Sequence, residues 1–262
     1  MTGVAAAVRV ERVEGTALVR MAHGRANAID VELLAALRDV VGSLGADPSV
    51  TSVVLTGSGS IFSAGVDLFR VRDGGAGYIR ELLSVLDDAL LRLLGCDRPV
   101  VAAVNGHAVA GGCILAAACD RRLMATGPGR IGVTELLVGV PFPVVPFETL
   151  RGVLPAPALA DLVLTGRTVA AEEAQRFGLV DEVVAPEALE ARALQEARRL
   201  GSLAPAALRL TKRQLRAPTL EAIARRSSAS HAEMEAVWTA PETLARLHDY
   251  VERTLGAAPA PR

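Results

Sequence analysis

Short β-branched runs alternate with helical stretches through the first two thirds of the chain, and this alternation limits the possible folds more than any other feature. Val8 to Val13 and Thr16 to Met21 read as paired strands around Glu14-Gly15. A helix follows, capped by Asp30 and running through Val31, Leu34, Leu37 and Val41. Val50 to Leu55 is a buried-type strand, Ile79 to Leu94 an amphipathic helix, and Val100 to Val104 and Arg121 to Ala125 are further strands. Strands separated in this way by helices imply right-handed crossovers and an α/β class. After about residue 143 the strand signal fades. From Pro155 the chain reads as helices over Pro157 to Leu164, Ala171 to Phe177, Leu189 to Leu200, Pro205 to Leu215, Leu220 to Trp238 and Pro241 to Leu255, with Val180 to Val184 as an edge strand. The expected organisation is therefore a core over residues 1–199 and a helical region over 200–262. The apolar faces of the helical region need either a core of their own or another subunit.

Composition excludes several classes of partner. The 262 residues carry 28 basic and 29 acidic side chains, and 3% are aromatic, so there is neither the basic surplus nor the stacking surface that nucleic-acid binding uses. Lys212 is the only lysine, a bias best read as genomic. Nothing approaches the roughly 18 to 20 uninterrupted apolar residues of a membrane span. The stretch from Met1 to Val10 lacks the long apolar segment of a secretory signal, and the final Ala-Pro-Ala-Pro-Arg is no address signal. Cys96, Cys113 and Cys119 lack paired spacing and are expected to be reduced thiols in a cytoplasmic protein. No cluster has metal-ligand spacing.

Three glycine-bearing loops are candidates for chemistry. Thr56 to Leu68 begins like a dinucleotide fingerprint at Gly57 and Gly59 but has Phe62 where the third glycine belongs. It also lacks the glycine-lysine pair of a Walker loop, and Ser63 lacks the preceding glycine of a nucleophile elbow. The second loop, Val104 to Ala116, passes through Gly111 and Gly112 into an alanine-rich helix. Those glycines either place unpaired N–H groups beside negative charge or permit close helix-to-strand packing. In the third, Ile131 to Pro141, Glu135 is the only ionisable residue between Arg130 and Glu148. It is either a proton-transfer group poised by apolar surroundings or a simple helix cap.

Together these loops resemble the crotonase, or enoyl-CoA hydratase/isomerase, superfamily over nearly the whole length. Asn27-Ala28-Ile29-Asp30 is similar to the family's early Asn-Ala-Leu-Asn turn, and Phe62-Ser63-Ala64-Gly65-Val66-Asp67-Leu68 to its Phe-Ser-Ala-Gly-x-Asp-Leu signature. Asn105-Gly106 through Gly111-Gly112-Cys113 to Cys119-Asp120 resembles the central segment, and Gly178-Leu179-Val180-Asp181 the later Gly-Leu-Val-Asp/Asn. The resemblance implies a spiral of repeated ββα units with a C-terminal helical region, in a homotrimer or dimer of trimers. It further implies an acyl-CoA thioester substrate, with coenzyme A part of the substrate and no separate cofactor. The thioester carbonyl would sit between the backbone N–H groups of Val66 and Gly111, which would stabilise an enolate. Ala26, Ala28, Ala64, Asp67, Leu68 and Gly112 would contact the substrate. Arg25 is a candidate phosphate partner, with a solvated surface arginine as the alternative.

Hydratases of this family use two glutamates. By spacing the first falls on Ile114 and the second on Glu135; the additional acid of dienoyl-CoA isomerases falls on Pro143. A single glutamate above an oxyanion hole suits the 1,3-proton shift of a Δ3,Δ2-enoyl-CoA isomerase, with other enolate chemistry, hydration or silent acyl-CoA binding as alternatives. Ile131 to Glu135 and Pro141-Phe142-Pro143 resemble the mitochondrial-type isomerases. Phe142, Val144, Val145 and Phe147 are open between acyl pocket and core, while packing is expected for His107 and packing or interface roles for His231, Trp238 and His248.

Overall fold

The computed structural model describes residues 7–256, of which 228–231 and 255 by backbone alone. The expectations for both chain ends and for the His231 side chain fall outside the described residues. The strands are β1 (Val8–Val13), β2 (Thr16–Met21), β3 (Ser52–Gly57), β4 (Ile61–Ser63), β5 (Val100–Val104), β6 (His107–Val109), β7 (Arg121–Ala125), β8 (Ile131–Gly132), β9 (Thr168–Val169) and β10 (Glu182–Val184). The helices are α1 (Val31–Ala46), α2 (Leu68–Leu94), α3 (Gly111–Ala118), α4 (Glu135–Val138), α5 (Val144–Arg151), α6 (Ala156–Thr165), α7 (Ala171–Phe177), α8 (Leu189–Gly201), α9 (Pro205–Thr239) and α10 (Pro241–Tyr250), with a final turn over Val251–Leu255.

A three-part unit repeats along the chain. In β3-β4-α2, β5-β6-α3 and β7-β8-α4, one strand joins a six-stranded sheet, the next joins a four-stranded sheet, and a helix follows. The large sheet has the order β1-β2-β3-β5-β7-β10, parallel from β2 onward; in the small one β4, β6 and β8 are parallel. This is the crotonase-like spiral. Its central strands are apolar on both faces, as buried parallel strands must be. Val100 and Ala102 join the main core, whereas Val101 and Ala103 meet Leu189, Ala193 and Ala197 of α8 on the opposite face. Each fully buried valine or leucine contributes about 1.5–3 kcal/mol relative to exposure.

Three elements differ from the sequence reading. First, α2 begins at Leu68 rather than Ile79, with a kink at Gly75 (φ 59°) that divides it. Second, the two helices expected on either side of Pro218 are one, α9. The missing proline N–H is tolerated because both flanks are anchored: Lys212 before it bonds Asp120 and the Arg98 carbonyl, and Ile223 after it joins the core. Third, the small sheet and α5 have no counterpart in the residue pattern, although the resemblance implied ββα units.

The C-terminal helices share the main core rather than forming a separate one. Ile223, Met234, Trp238, Leu247 and Val251 all belong to it, and Arg226 of α9 reaches the buried Glu148 of α5 at 2.5 Å. Among the described residues no helix is long and apolar enough to cross a membrane.

Candidate functional site

The turn around Asn27 is built from buried polar contacts. Asn27 is fully buried at φ 46°; its Nδ2 donates to the carbonyls of Ile61 and Phe62, both at 3.1 Å, and its Oδ1 accepts from His23 N at 2.9 Å. Ser63 Oγ donates to Asn27 O at 2.8 Å, and Ala64 N to Ala26 O at 3.0 Å. The segment carrying Ala26 and Ala28 is thereby fixed to β4. Asp30 closes it, accepting from Leu33 N at 2.8 Å and meeting His23 Nε2 at 2.6 Å and Arg70 at 2.9 Å. Burial opposes ionisation of Asp30, but the bonds from His23, Leu33 N–H and Arg70 outweigh it and hold the carboxyl below the usual range.

Two backbone donors stand side by side where β4 and β6 end. Gly65 lies at φ 85°, and a β-carbon there would come within 2.7 Å of the Val109 carbonyl, so only glycine allows this approach. Val66 forms a single parallel bridge with Ile29, in which Ile29 N donates to Gly65 O at 2.8 Å and Asp67 N donates to Ile29 O at 2.9 Å. These bonds use the groups flanking Val66, whose own N–H points the other way. Ala110, at φ 49° and ψ −122°, turns the chain into α3. A non-glycine residue in such a conformation costs on the order of 1–3 kcal/mol and persists only where its surroundings enforce it; here Ala110 N donates to Gly132 O at 2.9 Å. Gly111 opens α3, and a β-carbon on it would stand 4.0 Å from Val66 N and 2.9 Å from Ile29 Cδ1. Neither the Val66 nor the Gly111 N–H has an acceptor among the described residues. Two such donors beside a helix N-terminus suit an oxygen that gains negative charge.

Both donors open on a cavity of about 430 Å³. Ala26, Ala28, Ala64, Asp67 and Leu68 line the same cavity, so the structure brings most of the expected substrate contacts together. Asp67 is also the cap of α2, its Oδ1 accepting from Phe69 N and Arg70 N at 3.0 and 3.1 Å. Glu135 enters from α4, whose last turn ends in Gly139 at φ 91°. Its Oε2 is buried without a partner among the described residues. Burial pushes the Glu135 carboxyl up to about 7, against the opposing pull of hydrogen bonds with the backbone of Glu135 and Thr134. A carboxyl titrating there can both take and return a proton near neutral pH. Ile114, one turn into α3, also lines the cavity.

Several expectations are revised. Gly112 does not line the cavity: a β-carbon there would meet the Ser63 carbonyl at 2.5 Å, so this glycine serves close packing of α3 on β4. Arg25 is exposed outside the cavity lining, which keeps the guanidinium available to solvent. Lys212 is 7% exposed and bound to Asp120 at 2.5 Å, so the only lysine is structural. His107 and Trp238, expected to pack, both line the cavity, and Trp238 Nε1 donates to the Pro141 carbonyl at 3.0 Å. Phe142 and Phe147 form a tilted pair with ring centres 6.1 Å apart and lie against the core, which Val145 joins; Pro143 and Pro146 present the lining surface instead. His248 is exposed and pairs with Glu252 at 3.0 Å. Leu82, Leu83 and Leu86, within the amphipathic stretch read from Ile79 to Leu94, also line the cavity.

The spiral fold and this cavity define the crotonase superfamily. Residues 11–255 match the enoyl-CoA hydratase/isomerase family model, and the chain belongs to that family, which acts on acyl-CoA substrates. A protein of Thermus thermophilus named as an enoyl-CoA hydratase is 42% identical over 199 residues, covering 73% of this chain and 76% of that one. The crotonyl-CoA hydratase of Syntrophomonas wolfei is 33% identical over 206 residues, 78% of each chain. Human mitochondrial delta3-delta2-enoyl-CoA isomerase superimposes with a TM-score of 0.90 at 27% identity, covering 94% of this chain and 97% of that chain.

Proposed function

We propose that this protein isomerises 3-enoyl-CoA to 2-enoyl-CoA thioesters. The Val66 and Gly111 N–H groups receive the thioester oxygen, and Glu135 removes a proton from the α-carbon. The resulting dienolate is held by the two donors while the same carboxyl returns the proton to the γ-carbon. Coenzyme A is part of the substrate, and no separate cofactor takes part. Ala26, Ala28, Ala64, Asp67 and Leu68 contact the thioester arm, and Arg25 pairs with a CoA phosphate outside the cavity. The observation that carries the reading is a single glutamate lining the cavity, its Oε2 buried without a partner among the described residues, while the other acid position holds Ile114. Purified protein should convert a 3-enoyl-CoA to the 2-enoyl isomer, and Glu135→Gln should stop conversion while acyl-CoA binding remains. Full activity in that variant removes Glu135 from the mechanism.

Hydration of 2-enoyl-CoA is the second reading, favoured by the hydratase names of relatives. Ile114 argues against it, because an isoleucine neither holds water nor moves a proton. Uptake of solvent oxygen into 2-enoyl-CoA at a rate matching isomerisation would establish it. The proposed assembly is a homotrimer or dimer of trimers in the cytoplasm. Leu137 and Leu164, 57% and 73% exposed on the contacting helices α4 and α6, provide apolar surface for such an interface.

A further inference from the structure

The cavity walls differ in chemistry from one side to the other. Asp67, Glu135, His107 and the paired N–H groups come from the ends of β4 and β6, the starts of α2 and α3, and α4, whereas the body of α2 with α9 and α10 brings leucine and aromatic surface. Leu82, Leu83 and Leu86 face the cavity on successive turns of α2 beyond its kink at Gly75. Trp238 and Tyr250 close it from the C-terminal helices of the same chain. Trp238 is 4% exposed, and its bond to the Pro141 carbonyl holds the indole plane against the loop that follows α4. A side chain fixed in this way forms a wall rather than a movable flap.

We infer that Trp238, with Leu86 of α2, bounds the acyl-binding space and selects unsubstituted aliphatic acyl chains of limited length. This rests on the proposed reading of the cavity as an acyl-thioester site. A cavity of about 430 Å³ falls in the range of small-ligand sites, roughly 300–1,000 Å³, so an acyl chain of limited length fills it. An acyl hydroxyl among Leu82, Leu83, Leu86 and Trp238 would lose its water without gaining a partner, so hydroxylated chains are disfavoured.

Chain-length selection can be read from binding alone, without turnover. Dissociation constants for saturated acyl-CoA thioesters from butyryl-CoA to palmitoyl-CoA should fall about four-fold per added methylene up to a break within the series and then level or rise. Trp238→Ala should move that break at least two carbons longer, at roughly unchanged affinity for butyryl-CoA. Leu86→Phe, which fills space instead of opening it, should move the break shorter and serves if Trp238→Ala does not fold. A flat series in the wild type, or a break that neither folded variant displaces, overturns the inference. Loss of isomerisation with the length series intact would instead overturn the proposed reaction and leave the wall assignment standing.

Discussion

The backbone nitrogen of Val66 lies 4.0 Å from the point where a β-carbon on Gly111 would stand, and both residues border the same cavity. Two peptide donors from different ββα units are thus brought together by the spiral, and neither depends on a polar side chain.

Gly111→Ala should disable this pair. Its new methyl meets Ile29 Cδ1 at 2.9 Å; Ile29 is fully buried and its backbone bonds the groups on either side of Val66, so making room shifts Ile29 or the start of α3 relative to the Val66 donor. Removing or misplacing one such donor costs about a hundred- to a thousand-fold in kcat. Steady-state kinetics on 3-enoyl-CoA should give that loss with a smaller change in KM, and circular dichroism should show the fold retained.

The titration of Glu135 sets two pH dependences of opposite sense. As a base it must be ionised, so kcat/KM should fall about ten-fold per unit as pH drops below about 7. For stability, the folded-state value of about 7 lies above the ordinary 4.5, so the folded protein binds the proton more tightly than the unfolded chain. Stability from this group is then fully present below the unfolded value and is lost as pH rises through about 7. Glu135→Gln, which cannot ionise, should raise stability at alkaline pH by on the order of 2 kcal/mol, measured by urea denaturation across pH.

Lys212 joins α9 to the end of α3 through Asp120, which also accepts from Val100 N at 2.8 Å and Arg216 at 3.3 Å. Lys212→Ala leaves a half-buried carboxylate with one cation fewer, though Arg216 and Val100 N still bind it, and should destabilise the protein by about 1–2 kcal/mol. Acyl-CoA affinity, measured by calorimetry on the folded variant, should stay within two-fold of wild type, at roughly the precision of such a comparison.

Arg25 should act on the phosphates rather than on the acyl chain. Arg25→Ala is expected to weaken binding of free CoA and of acyl-CoA equally, by roughly ten-fold at low salt, with the difference shrinking as ionic strength rises. A penalty that grows with acyl length would contradict this assignment.

Legibility in the sequence followed the length and regularity of each element. β1, β2, α1 and β5 could be read from alternation, a capping Asp30 and an unbroken apolar run, because those signals are local. The small sheet could not, since β4, β6, β8 and β9 have only two or three residues each and no period can register over so short a span. Gly74, Gly75 and Gly77 concealed the first part of α2, and Pro218 divided α9 on paper although tertiary contacts carry the helix through. Glu135 and the glycine loops were identifiable from residue type and resemblance. The enclosing wall was not, because Trp238 meets Pro141 across 97 positions of sequence and only the fold joins them.

The central claim is that Glu135 alone, facing two backbone donors, moves a proton between the α- and γ-carbons. Its most direct test follows a 3-enoyl-CoA by proton NMR in deuterated water with wild type and Glu135→Gln side by side. The account predicts conversion to 2-enoyl-CoA with wild type, no hydrated product at comparable rate, and at least a roughly thousand-fold slower conversion in the variant. Undiminished isomerisation by Glu135→Gln, or hydration as the main wild-type reaction, would contradict it.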